Sequence, residues 1–100
     1  MEIPIPQATC YTIYSKSGCP NCVKVKTLLK ETKAKFTVID CDEYLLEDKP
    51  GFLQFIYLLV GREYKMFPMI FLDGMFIGGL EGYLAKIEEN EKELDFNTEF

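Results

Sequence analysis

The order of elements in residues 11–39 constrains this chain more than any other feature. Tyr11-Thr12-Ile13-Tyr14 is β-branched and aromatic, is bounded by Ser15 to Gly18, and predicts a strand. From Pro20 to about Thr32 the apolar residues recur at helical spacing, with lysines on the far side. Phe36-Thr37-Val38-Ile39 predicts a second strand. A strand–helix–strand start implies two parallel strands joined by a right-handed crossover.

The remaining elements fit round that unit. Asp40 to Lys49 reads as an acidic connection. Pro50 opens a second helix, with Phe52, Phe55, Ile56 and Leu59 on one face and Gly61 as its stop. Arg62 to Phe67 reads as loop and Met69-Ile70-Phe71-Leu72 as the third strand. Asp73-Gly74 is a two-residue hairpin signal, so Met75-Phe76-Ile77 becomes the fourth strand. Gly78-Gly79 breaks it, and Leu80, Tyr83, Leu84 and Ile87 mark a third amphipathic helix. The polar tail after Asn90 reads as a frayed helix or disorder. The order β-α-β-α-β-β-α predicts an α/β fold, a four-stranded mixed sheet with helices on both faces. One domain fits 1–100, with a core over about 9–90 and the tail over 91–100.

Composition excludes several classes. A chain that is 48% hydrophobic and 14% aromatic packs a core and is not disordered. It has no apolar run long enough to span a bilayer. Met1 to Gln7 lacks the basic and apolar regions of a signal peptide, which points to a cytoplasmic protein with reduced cysteines. An isoelectric point near 4.7 and the lack of a compact basic cluster argue against nucleic acid.

The chemistry lies in Cys19-Pro20-Asn21-Cys22, between the first strand and the first helix. Backbone N–H groups and the dipole at a helix N-terminus stabilise a thiolate, the nucleophile of thiol–disulfide exchange. Cys19 falls at the cap, where it is expected to reach solvent. Cys22 lies one turn in, on the arc of Val25, Leu28 and Leu29, and is expected to be buried. The pair reads as an attacking and a resolving sulfur. Structural zinc needs four ligands, and the chain has no histidine and no second C-x-x-C. Cys10 and Cys41 read as structural or incidental. The net charge of −5 is uneven: lysines crowd residues 16–35 and carboxylates the tail. Most of those lysines are a solvated helix face, but Lys16 stands just before the dithiol.

Taken together, these residues resemble a glutaredoxin of the dithiol type, within the thioredoxin-like superfamily. The resemblance rests on Tyr14-Ser15-Lys16, Cys19-Pro20-Asn21-Cys22, Pro68 before Ile70-Phe71-Leu72-Asp73-Gly74, and Ile77-Gly78-Gly79, in that order. It covers about Cys10 to Asn90. Met66-Phe67 stands where the family's usual Thr-Val precedes the proline, and Glu81-Gly82 where two acids are common. Asn21 replaces the aromatic often found between the cysteines.

The resemblance implies a thiol–disulfide oxidoreductase acting in electron transport and cell redox homeostasis. Glutathione would be its co-substrate, with no permanently bound cofactor and no metal. Cys19 would be the nucleophile, Cys22 the resolving thiol, and Lys16 the group that stabilises the thiolate. Lys16, Cys19, Asn21, Phe67, Pro68, Gly79, Leu80 and Glu81 would bind glutathione, with Pro68 in the cis form presenting the Phe67 backbone. The start of the third helix would receive the γ-glutamyl end. Gln54 is the nearest equivalent of a polar helper from the second helix, about one residue out of register. Partners would be glutathione and glutathionylated or disulfide-bonded proteins, and the chain would be a monomer without nucleic-acid or membrane partners. A thioredoxin-type reductant, serving an enzyme such as ribonucleotide reductase with little use of glutathione, is the first alternative. An iron–sulfur carrier is the second.

Overall fold

Ile13 and Tyr14 are neighbours on one strand, and both are wholly buried. Side chains alternate across a strand, so the sheet holding them must be covered on both faces. The computed structural model, which describes residues 2–98, shows how. Its elements are β1 (Tyr11–Ser15), α1 (Pro20–Glu31), β2 (Phe36–Asp40), α2 (Asp42–Val60), β3 (Met69–Leu72), β4 (Met75–Gly78) and α3 (Leu80–Thr98). This is the predicted order. The sheet runs β2-β1-β3-β4, with β1 parallel to β2 and the other two pairs antiparallel.

Two cores share the sheet. On one face Ile13 and Ile70 meet Val25 and Leu29 of α1 and Tyr83 of α3. On the other, Tyr14, Met69 and Phe71 meet Phe52 and Ile56 of α2. Tyr14 makes edge contacts with the rings of Phe71 and Phe55. Its hydroxyl donates to the Pro4 carbonyl at 2.6 Å, which ties the N-terminal segment to the sheet. Ile3 of that segment packs on the α2 side.

The turns behave as their residues require. Asp73 and Gly74 both have positive φ, 51° and 86°, the pairing a two-residue hairpin needs. Gly61 ends α2 in the left-handed conformation, with its N–H on the Tyr57 carbonyl.

The second helix begins earlier than the sequence reading has it. Asp42 to Glu47 is helical rather than a connection, and a break at Asp48 separates this part from the predicted helix. Asp48 leaves helical dihedrals (φ −156°, ψ 72°), and its Oδ1 accepts the Gly51 N–H at 3.0 Å. That bond is an N-cap, and it restarts the helix with Pro50 in the first turn, where no N–H is needed. The early part is supported by Asp42 and Glu43 in its own first turn. The third helix likewise continues past Asn90 to Thr98.

One close approach fixes where α3 starts. A Cβ on Gly82 would run into the carbonyl of Ile77 at the end of β4. The glycine therefore lets α3 lie directly against the strand that precedes it. Replacing Gly82 with Ala improves helix propensity but forces that contact apart. Overpacking of this kind costs about 1–3 kcal/mol, so Gly82→Ala is expected to lower the midpoint of urea unfolding. An unchanged or raised midpoint would show that β4 and α3 separate freely.

Candidate active site

Cys19 is the N-cap of α1. Its backbone is extended (φ −113°, ψ 102°), and its Sγ accepts the Cys22 N–H at 3.2 Å. A sulfur thus takes the place usually held by a serine or aspartate oxygen. No acidic residue lies in the first turn, so nothing there opposes negative charge on that sulfur. Pro20 occupies a first-turn position where no donor is required. All four cysteines are free.

Burial of the two sulfurs partly departs from expectation. Cys22 is 1% exposed, as its place on the buried arc predicts, but Cys19 is only 9% exposed. The capping bond draws the Cys19 sulfur back over the helix end rather than out to solvent. Burial, then the hydrogen bond shared with Cys19, pushes the Cys22 thiol up, against the opposing pull of the Lys16 backbone and the Ser15 hydroxyl. The fold therefore favours the neutral thiol at Cys22.

The loop before the dithiol is held by α2. The Asp42 Oδ1 accepts the Ser17 N–H at 2.9 Å, and this bond holds the Asp42 carboxyl below the usual range. Asp42 in turn donates its N–H to Asp40 Oδ1. The carboxylates at the end of β2 and the start of α2 thus brace the backbone that leads to Cys19.

Beside the dithiol lies a groove of about 340 Å³. Asn21, Phe67, Gly79, Leu80 and Glu81 line it together, which gathers five of the predicted binding residues from three parts of the chain. The Phe67–Pro68 peptide is cis, as the resemblance implies. Pro68 is buried, and its carbonyl oxygen lies 3.3 Å from where a Cβ on Gly79 would stand. Lys16 is exposed and places its Nζ 5.5 Å from the centre of the Phe67 ring. Lys16, Cys19 and Pro68 are not among the walls. Gln54 does not line this groove; it lies in a neighbouring hollow with Pro50 and Tyr57, on the other side of Tyr64.

Tyr64 and Met66 complete the wall. Met66 is 68% exposed at the rim. Tyr64 falls within the stretch the sequence assigns to loop, yet its hydroxyl lies 3.3 Å from where a Gly79 Cβ would be, and its ring packs edge-on against Phe76. An aromatic residue within a polar loop, four residues before a proline, was the one signal available.

These features decide the family. The glutaredoxin family model matches residues 11–77. The chain belongs to the glutaredoxin family. Glutaredoxin 1 of Rickettsia conorii is 33% identical over 87 residues, covering 79% of this chain and 80% of that protein. Human mitochondrial glutaredoxin-2 is 34% identical over 70 residues, which is 70% of this chain but 40% of that longer protein. Among solved structures, glutaredoxin 1 of Francisella tularensis superposes with a TM-score of 0.70 at 26% identity, covering 82% and 95% of the two chains. A buckwheat glutaredoxin–glutathione complex shares the fold, with a TM-score of 0.69 at 23% identity over 84% of this chain and 73% of that one. This glutaredoxin is accordingly a thiol–disulfide oxidoreductase with the thioredoxin-like fold.

Cys41 stands apart from that chemistry. It is fully buried, and its thiol donates to the Ile39 carbonyl at 3.5 Å. Burial, and then the charge of Asp40, pushes the thiol up to about 12 from 9.0. Its contribution to stability is complete below pH 9, where the thiol of the unfolded chain also keeps its proton. It is lost as pH rises from 9 toward 12, because only the unfolded chain releases the proton there. Unfolding free energy measured by urea titration between pH 9 and 11 should therefore fall less steeply in Cys41→Ala than in the parent protein. Equal slopes would mean that the thiol is not held neutral by the fold.

Proposed function

We infer that this glutaredoxin uses glutathione, reducing glutathione mixed disulfides and protein disulfides through Cys19 and Cys22. One observation carries the reading: the groove beside the dithiol joins the Phe67 backbone before a cis proline to the start of α3 at Gly79–Glu81. A tripeptide in that groove pairs its backbone with Phe67 like an added strand. Its γ-glutamyl carboxylate meets the free N–H groups at the start of α3, and its ammonium meets Glu81. Lys16 faces the carboxylate at the glycyl end.

The reaction then has two stages. The Cys19 thiolate attacks the glutathione sulfur of a mixed disulfide. The disulfide bond breaks and the substrate leaves as its thiolate, taking up a proton from water. The thiolate of a second glutathione attacks the mixed disulfide on Cys19, forming oxidised glutathione and restoring the Cys19 thiolate. With a protein disulfide, Cys19 attacks first. Cys22 then loses its proton and attacks the Cys19 sulfur, which releases the reduced protein and leaves a Cys19–Cys22 disulfide for glutathione to reduce.

A preference for protein disulfides is the second reading. Met66 presents an exposed apolar rim, and Gly82 has no room for the second acid common in the family. Both favour a broad partner surface over tight capture of glutathione alone.

The test is NADPH oxidation with glutathione, glutathione reductase and a small mixed disulfide. Cys19→Ser is expected to fall to background, while Cys22→Ser stays within a few-fold of the parent and loses protein-disulfide reduction. Equal loss in both variants would overturn the assignment of roles. Silence in the parent protein as well, with a protein disulfide still reduced, would move the function to the second reading.

A further inference from the structure

Three rings lie behind the groove in a near-parallel stack. Tyr44 and Phe52 are 6.1 Å apart with their planes 9° from parallel, and Phe52 and Phe67 are 6.0 Å apart at 12°. Lys16 closes the stack, its ammonium 5.5 Å from the Phe67 ring centre. The side of the stack away from Lys16 is built into the protein, since Phe52 is fully buried and Tyr44 partly so. The break at Asp48 gives Tyr44 and Phe52 to the two halves of α2, so both halves carry the stack. Phe67 is thus the ring of this column that meets the cation.

A lysine side chain in solvent samples many rotamers. A cation over an aromatic face is held by the ring quadrupole, and the ammonium keeps its donors free for an anion. We propose that Phe67 is a positioning residue for anionic substrates. Its ring holds the Lys16 ammonium beside the Cys19 groove, where it draws an incoming carboxylate toward the sulfur. The rings of Phe52 and Tyr44 keep the Phe67 face in register. This deepens the proposed function, since it concerns how substrates reach the same sulfur, yet it does not require that the substrate be glutathione.

The test separates the two. Alkylation of Cys19 by iodoacetate, which carries a carboxylate, is compared with alkylation by neutral iodoacetamide at the same pH. The ratio of the two rates cancels changes in the reactivity of the thiol itself. Lys16→Met and Phe67→Leu should each lower the ratio by roughly two- to fivefold, the effect an exposed cation–ring contact supports. Phe67→Tyr should keep it, and the double variant should fall no further than Lys16→Met alone. A parental ratio in Phe67→Leu, or multiplied losses in the double variant, would overturn the proposal. If Phe67→Leu does not fold, NMR of the parent protein decides instead. The Lys16 ε-methylene protons should lie upfield of those of the other lysines, and an unshifted signal rejects the contact. Failure of the glutathione assay with the expected alkylation ratios would reject the proposed substrate and leave this mechanism standing.

Discussion

The central strand β1 must be buried on both sides, because Ile13 and Tyr14 point opposite ways and neither tolerates water. That constraint sets the positions of the helices. α1 and α3 cover Ile13, and α2 covers Tyr14. With β2 parallel to β1, the chain must leave the end of β1 and enter α1 within a few residues, and leave β2 and enter α2 in the same region. The two helix starts are therefore neighbours. Cys41 N–H donates to the Ser15 carbonyl at 2.8 Å, and Asp42 holds Ser17. Ligand sites of open α/β sheets form at this end, where strands stop and helix N-termini gather.

The cysteines at this end of the sheet differ in depth and in neighbours. Cys19 ends the strand-to-helix turn and takes a helix N–H. Cys22 is one turn further in, against Ser15 and the Lys16 backbone, and is kept as a thiol. Cys41 lies under the start of α2, shielded by burial and by the negative charge of Asp40. Three thiols near one end of one sheet thus differ in their chemistry because they differ in cover and in neighbours.

Local signals made much of this legible in the residues. Pro20, Asp73-Gly74, Gly61 and the glycine pair act within a few positions of themselves, and each element they delimit is where they place it. The helical part from Asp42 to Glu47 was not legible. Its acids looked like a solvated connection, and its outward Leu46 disguised the period. The site divides in the same way. Residues of the dithiol and of the cis-proline loop announce themselves by spacing. The role of Tyr64 in the wall and the stacking of Tyr44, Phe52 and Phe67 depend on rings that lie far apart in the chain, and no periodicity connects them. The depth of Cys19 is not legible in the residues, because a place at the helix end implies exposure, whereas the capping bond turns the sulfur inward.

That bond has a consequence for the helix as well as for the sulfur. The atom that caps α1 is the atom the proposed mechanism uses as its nucleophile. Joined to a substrate, that sulfur would be a weaker acceptor, and the Cys22 N–H would rely on its other partner, the Cys19 carbonyl at 3.1 Å. The loaded and unloaded forms would therefore differ in how the first turn of α1 is held, beside exposed Pro20, Asn21 and Val23. A binding protein that gripped this turn would gain a means of telling a spent molecule from a ready one without touching the sulfur at all.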